Sequence, residues 1–283
     1  ESIIITGMPR SGKSWFVQAI LTQMCAFVPP TELNILICDP KEGVSDFRGF
    51  CLPHVKKFVT GDDNIVAALR DLVKREAPRR KKLIGDAGFV NIWEFKEANP
   101  TVKIPIVYVL VDEVVTLASR MEKSVNDEFR MLLRELISQL PALGIRAFLI
   151  PHVLNNEIIE KKTSDLVPCK VSVCGDADHI EKATGSKPRD FPYKLVNKGD
   201  MAVKLLGFQN TIYVHGPALN KTNKENNETF NYLRLAWTKL EPGEVAGSVA
   251  EEAAEANDLE YVASQLLGDS ISSSDDEDFD LFA

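Results

Sequence analysis

Apolar residues fall along this chain in two rhythms. Residues 2–6, 34–38, 104–111 and 146–150 form short, mostly apolar runs, and 169–173 reads as a further strand. Runs of that length predict strands buried on both faces, the pattern of a parallel sheet. Two further strands are expected at 202–206 and 211–215, around Gly207. Elsewhere the period becomes helical. Residues 15–27 read as a helix. In 62–74, Ile65, Val66, Leu69, Leu72 and Val73 share one face, and Pro78 should break or kink any continuation. In 126–140, Phe129, Leu132, Leu133, Leu136, Ile137 and Leu140 share a face, and Gly144 closes the segment. A short helix is expected at 155–162 and a closing one at 229–237. Strands alternating with helices predict an α/β fold with a mainly parallel central sheet covered on both faces. No internal repeat is visible.

Composition changes this picture only at the C-terminal end. The 283 residues are 45% hydrophobic and 26% charged, ordinary globular values that exclude collagen, coiled-coil and disordered classes. From Glu241 onward, however, Ala, Glu, Ser and Asp dominate. Thirteen of the 41 acidic residues follow Lys239 and none of the 33 basic ones does, so residues 1–240 carry +5 and the rest −13. The chain therefore divides into a mildly basic body, 1–240, and an acidic tail, 241–283. Residues 258–267 could form a short amphipathic helix in that tail, while 268–283 are expected to be disordered. Five widely spaced cysteines without a CxxC pair read as buried thiols of a reducing compartment. No apolar run reaches the ~18–20 residues of a membrane span, and no signal peptide is visible. The opening Glu1-Ser2-Ile3, without Met and directly on a strand, suggests a piece of a longer protein.

The chemistry is concentrated in two segments. Gly7-Met8-Pro9-Arg10-Ser11-Gly12-Lys13-Ser14 fits G-x-x-x-x-G-K-[ST] in full, after a strand and before a helix. The loop's backbone N–H groups and the helix N-terminus would face phosphates. Lys13 would add charge at the β/γ-phosphates of ATP, and the Ser14 hydroxyl would ligate Mg²⁺. About 100 residues later the apolar strand from Ile106 ends in Asp112-Glu113. Asp112 is placed to serve the Mg²⁺ and Glu113 to polarise an attacking water. Together these segments read as an ATPase.

Further segments carry a family resemblance. Asp39-Pro40-Lys41, Leu52-Pro53-His54, the run from Ala67-Ala68-Leu69 to Arg79-Arg80, and Gly88-Phe89-Val90-Asn91-Ile92 resemble the FtsK/SpoIIIE motor family. So do Leu143-Gly144-Ile145-Arg146, Gly199-Asp200-Met201 and His215-Gly216-Pro217, in order, up to about residue 219. The resemblance implies a RecA-like P-loop core, a ring hexamer and ATP-driven movement of double-stranded DNA. It assigns Gly7, Gly12, Lys13 and Ser14 to the nucleotide loop, Asp112 to the metal and Glu113 to the water. One departure is clear: the family usually ends strand four with Ala-Thr-Gln, where Gln senses the γ-phosphate, and here Ile150-Pro151-His152 stands in that place. His152 keeps hydrogen-bonding capacity, while Pro151 alters the backbone. Ring ATPases also complete each site with a cation from the next subunit, for which Arg134, Arg146 and Lys170 are candidates.

The remaining features bear on partners. Residues 74–82 hold six basic residues in nine, a DNA contact or a solvated helix face, and 185–198 are a second basic stretch. Family members that pump chromosomes usually continue into a winged-helix module. Here the acidic tail ends Asp278-Phe279-Asp280-Leu281-Phe282-Ala283 instead, a candidate docking peptide, or a solubilising or autoinhibitory tail. The narrower expectation is a conjugative coupling protein, a cytoplasmic domain at the membrane's inner face, anchored from upstream, whose tail meets a secretion-channel or relaxosome protein. Its rivals are a chromosome segregation motor, a type VII secretion ATPase domain acting on protein substrates, and a non-hydrolysing scaffold module.

Overall fold

The computed structural model describes residues 1–41, 45–175, 177–187, 195, 197–217 and 222–240. The tail with its expected 258–267 helix, and the middle of the 185–198 stretch, lie outside the described residues.

Eight described strands form one sheet: β1 Ile3–Gly7, β2 Leu33–Cys38, β3 Val55–Val59, β4 Ile106–Asp112, β5 Ile145–Ile150, β6 Cys169–Val173, β7 Asp200–Leu205 and β8 Ile212–His215. Their order is β3-β2-β4-β5-β1-β6-β7-β8. All pairings from β3 to β6 are parallel, and β7 and β8 add an antiparallel edge. The apolar runs behave as expected of strands covered on both sides. On β1, Ile4 faces a core with Val109, Val111 and Leu149 under Phe129 and Leu132, whereas Ile3 and Ile5 face a second core with Ile35, Ile37 and Phe148 under Val17 and Leu21. β3 gives no apolar run because it is an outer strand: Lys56, Lys57 and Phe58 are exposed, and pairing with β2 alone makes it a strand. Register matters most at the carboxyl ends. Asp112 lies opposite Ile150, and β5 separates the acids after β4 from the loop after β1.

The helices are α1 Lys13–Phe27, α2 Asp62–Asp71, α3 Ala77–Asp86, α4 Ile92–Ala98, α5 Val114–Arg120, α6 Lys123–Ser138, α7 Lys161–Ser164, α8 Ala177–Thr184 and α9 Asn223–Leu240. Pro78 does not end the second one. A π turn over Leu72–Glu76 joins α2 to α3, with the Ala77 N–H reaching back to Leu72 O. That wider turn relaxes the bond pattern where proline cannot donate. The expected helix at 155–162 is replaced by a local turn and the short α7. Asn155 Oδ1 accepts from Glu157 N at 2.8 Å, its carbonyl accepts from Ile158 and Ile159, and Glu160 is extended (ψ 142°). This is the competition that Asn offers to a helix. The closing helix is longer than 229–237 and is pinned to α1 by Trp237 Nε1–H donating to Cys25 O at 2.6 Å. Gly144 ends the turn after α6 at φ 78°, where a side chain would press on Ile106 and Arg80.

The five cysteines are free, with Cys25 and Cys38 buried and their thiols pushed up to about 12 by burial. Among the described residues no helix is long and apolar enough to cross a membrane.

Candidate nucleotide site

The loop between β1 and α1 is shaped by its glycines. A Cβ on Gly7 would sit 2.3 Å from Val173 O on β6, so no larger residue fits without moving a backbone strand. Gly12 takes φ 99° as the N-cap of α1, and Arg10 is left-handed at φ 63°. Met8, Pro9 and Arg10 are exposed at the mouth, while Ser11 is buried. The late strands brace this loop from outside. Gly199 N–H donates to Ser11 O at 3.3 Å and Gly216 N–H to Gly199 O at 2.8 Å. A side chain on Gly199 would meet the His215 ring, which itself pairs with Asp200 at 2.9 Å. The Gly199-Asp200-Met201 and His215-Gly216 segments therefore act as a buttress, and Gly199, at φ 91°, is where glycine is needed.

Lys13 is buried, with Nζ donating to Gly7 O at 2.7 Å and Met8 O at 3.3 Å, and lying 3.1 Å from His152 Nδ1. Burial pulls its ammonium below the usual lysine range, more than Asp112 and Glu113 push it up. Ser14 Oγ–H donates to Asp46 Oδ2 at 2.7 Å. Across β5, Asp112 is 3% exposed, and burial raises its carboxyl to about 6 despite the nearby Lys41. Glu113, left-handed at φ 52°, starts α5. Its Oε2 lies 2.7 Å from His152 Nε2 and accepts from Thr116 Oγ1 at 3.1 Å. Burial pushes its carboxyl up, but His152 and Lys41 outweigh that and keep it below the usual range.

The structure thus gathers Gly7 to Ser14, Asp112, Glu113 and His152 around one point. His152, two residues past the end of β5, the strand between the two segments, touches both Lys13 and Glu113. Its backbone carbonyl also accepts from Gly7 N at 3.1 Å, so Pro151 leaves the link between β5 and the loop intact. Lys41 is the residue that sequence reasoning missed as a site member. Its Nζ lies 3.0 Å from Asp112 Oδ2 and 3.2 Å from Glu113 Oε1. Its place in Asp39-Pro40-Lys41, directly after β2, was the available signal.

The suggested trans-acting cations do not join this site. Arg146 starts β5, at the far end of the sheet, buried under Trp93 with 5.1 Å from guanidinium to ring centre. Lys170, also near a strand start, pairs with Asp165 at 3.1 Å. Arg134 is exposed on α6, in a groove with Asp127, Arg130 and Glu160. Of the six basic residues in 74–82, four pair with acids of the chain: Lys74 with Glu135, Arg75 with Asp71, and Arg79 and Arg80 with Glu76. That favours an ion-paired helix, with Arg80 buried in the domain, over a free DNA-binding stripe.

A P-loop strand and an acid-bearing strand separated by one strand, with helices on both faces, define a RecA-like P-loop nucleoside-triphosphatase fold. Within that class the chain belongs to the FtsK/SpoIIIE family, whose model matches residues 1–149. A similar relative is the DNA translocase FtsK of Caldanaerobacter subterraneus subsp. tengcongensis, 22% identical over 275 residues, covering 95% of this chain and 36% of that one. The chain thus spans about a third of the length of such relatives. Among solved structures, the pCW3 conjugation coupling protein TcpA with ATPγS aligns with TM-score 0.65 at 19% identity, covering 82% of this chain and 64% of that one. ATPases 2 and 3 of EssC from Geobacillus thermodenitrificans align with TM-score 0.66 at 19% identity, covering 85% and 45%.

Proposed function

We propose that residues 1–240 are an ATP-hydrolysing motor domain that moves DNA, and more narrowly the motor of a conjugative coupling protein. The observation that carries the hydrolytic part is the joint placement of Lys13, Asp112 and Glu113 around one point. In this reading the loop from Gly7 to Ser14 binds the phosphates through its N–H groups and Lys13 adds charge. Ser14 and Asp112 offer a hydroxyl and a carboxylate, hard oxygen donors suited to Mg²⁺. The Lys41 ammonium beside Asp112 indicates that this spot accepts a cation. When bound there, the metal would neutralise phosphate charge. Glu113, ionised at neutral pH, takes the proton of the attacking water. His152 orients Glu113 through its 2.7 Å contact and stands where it can report on the phosphates to Lys13.

The DNA part rests on the FtsK relatives and the TcpA likeness. Family rings imply a homo-hexamer, with an exposed arginine such as Arg134 reaching the neighbour's site. The acidic tail, 241–283, would dock on a channel or relaxosome protein, and the domain would work at the cytoplasmic face of a membrane. A second reading, an ATPase domain of a protein-secretion system, is favoured by the equally good match to EssC. ATP turnover with and without double-stranded DNA, at two salt concentrations, separates them. We expect DNA to stimulate hydrolysis, less at high salt, and Lys13→Ala and Glu113→Gln each to abolish it. Turnover indifferent to DNA would refute the translocase reading and leave the secretion one standing.

A further inference from the structure

Lys41 sits on the wall between two spaces. Its ammonium points inward to Asp112 and Glu113, yet the side chain is 36% exposed. On its other side lies an open cleft of about 530 Å³, lined by Pro40, Gly61, Asp62, Asp63 and Arg120. Its backbone, in contrast, is anchored. The Lys41 N–H donates to Asp39 Oδ1 at 2.9 Å, Asp39 is fully buried, and Ser45 Oγ–H donates to the other carboxylate oxygen. Asp39 N–H in turn donates to Val59 O at 3.0 Å, tying the residue to β3. A fixed base with a flexible four-carbon arm allows the ammonium two positions without moving the chain.

We infer that Lys41 is a positioning residue with two stations, competing with the divalent cation for Asp112 and moving to Asp62 and Asp63 in the cleft when the metal takes that carboxylate. The inner station fills the role a metal would: one positive charge against a buried carboxylate. Both cannot occupy Asp112 Oδ2 at close range, because like charges repel strongly where water is excluded. The outer station is already supplied with acids, at the first turn of α2. The consequence is a coupling between metal binding and the β2–α2 side of the domain. This inference rests on the proposed hydrolysis only for where the metal binds, and it is independent of DNA.

The test is Mn²⁺ binding to the full chain without nucleotide, followed by electron paramagnetic resonance of free Mn²⁺. Lys41→Met should tighten Mn²⁺ about fivefold or more, the scale of one partly exposed ion pair no longer to be displaced. Asp62→Asn/Asp63→Asn should weaken it by a similar factor, because the outer station is lost. Residues that merely support the fold would not give opposite signs. Metal affinity unchanged or weakened in Lys41→Met, or unaffected by the double asparagine variant, would overturn the proposal. If Lys41→Met does not fold, the double variant, altered only on the cleft side, decides. Should the wild type and both variants fail to hydrolyse ATP, the hydrolytic reading falls, while the Mn²⁺ titration still judges Lys41.

Discussion

The strongest stability prediction concerns the charge cluster where the π turn meets α3. Glu76 is 3% exposed and Arg80 not at all. Arg80 Nε donates to Glu76 Oε1 at 2.6 Å and Nη1 to Leu143 O at 3.0 Å, while Nη2 is buried without a hydrogen-bond partner. Arg79, half exposed, grips the same carboxylate with two bonds of 2.7 and 2.9 Å. The geometry makes the partners unequal. Glu76→Leu leaves Arg80 as a buried cation with only a carbonyl to face, and should cost about 3–5 kcal/mol. Arg80→Met leaves Glu76 still held by Arg79, and should cost about 2–3 kcal/mol, less than a fully orphaned charge. Arg79→Ala removes a half-exposed partner and should cost under about 1 kcal/mol. Glu76→Leu/Arg80→Met buries no lone charge and should be nearer wild type than Glu76→Leu alone. Urea unfolding followed by circular dichroism, with unchanged slopes, measures all four. Equal costs for the two buried partners, or a double variant equal to the sum of the singles, would refute the reasoning.

Two further predictions concern the site. Gly7→Ala should abolish nucleotide binding while the domain stays folded, because its Cβ would meet Val173 O at 2.3 Å and push the loop off the strand; fluorescent ADP titration checks this, and retained affinity would count against the loop geometry. The Asp112 carboxyl, raised by burial to about 6 from 3.8, binds its proton more tightly folded than unfolded, so its stability contribution improves as pH falls through 6 toward 4. Over the same range the carboxylate proposed to hold Mg²⁺ becomes protonated, so the gain in ADP affinity from Mg²⁺ should shrink below about pH 6, and a gain constant from pH 5 to 8 would contradict this.

The nucleotide loop was legible because its function is local. Eight contiguous residues carry the motif, and Gly12 is needed for its own positive φ, although the reason for Gly7, the nearby Val173 O of β6, lies outside the loop. Asp112 and Glu113 were legible for a similar reason: an apolar strand ends in acids where a covered sheet meets solvent. The strand expected at 34–38 declared itself because burial on both faces leaves little room for polar residues. Local pattern failed where a partner elsewhere decides. β3 carries Lys56 and Lys57 and is a strand only because β2 offers it an edge. Pro78 stays inside a long helix because the π turn before it absorbs the missing donor. The expected 155–162 helix lost to the side chain of Asn155.

Sequence by itself therefore determined the α/β class, the phosphate loop and the pair of acids, since each depends on neighbours in the chain. Tertiary structure decided the strand order that sets β5 between them, and with it the meeting of His152 with Lys13 and Glu113. It also decided which cations matter. Lys41 reaches Asp112 across 71 positions, whereas Arg146 is buried under Trp93 at the far end of β5. Charge interactions depend on distance and burial, and neither can be read from position along a chain.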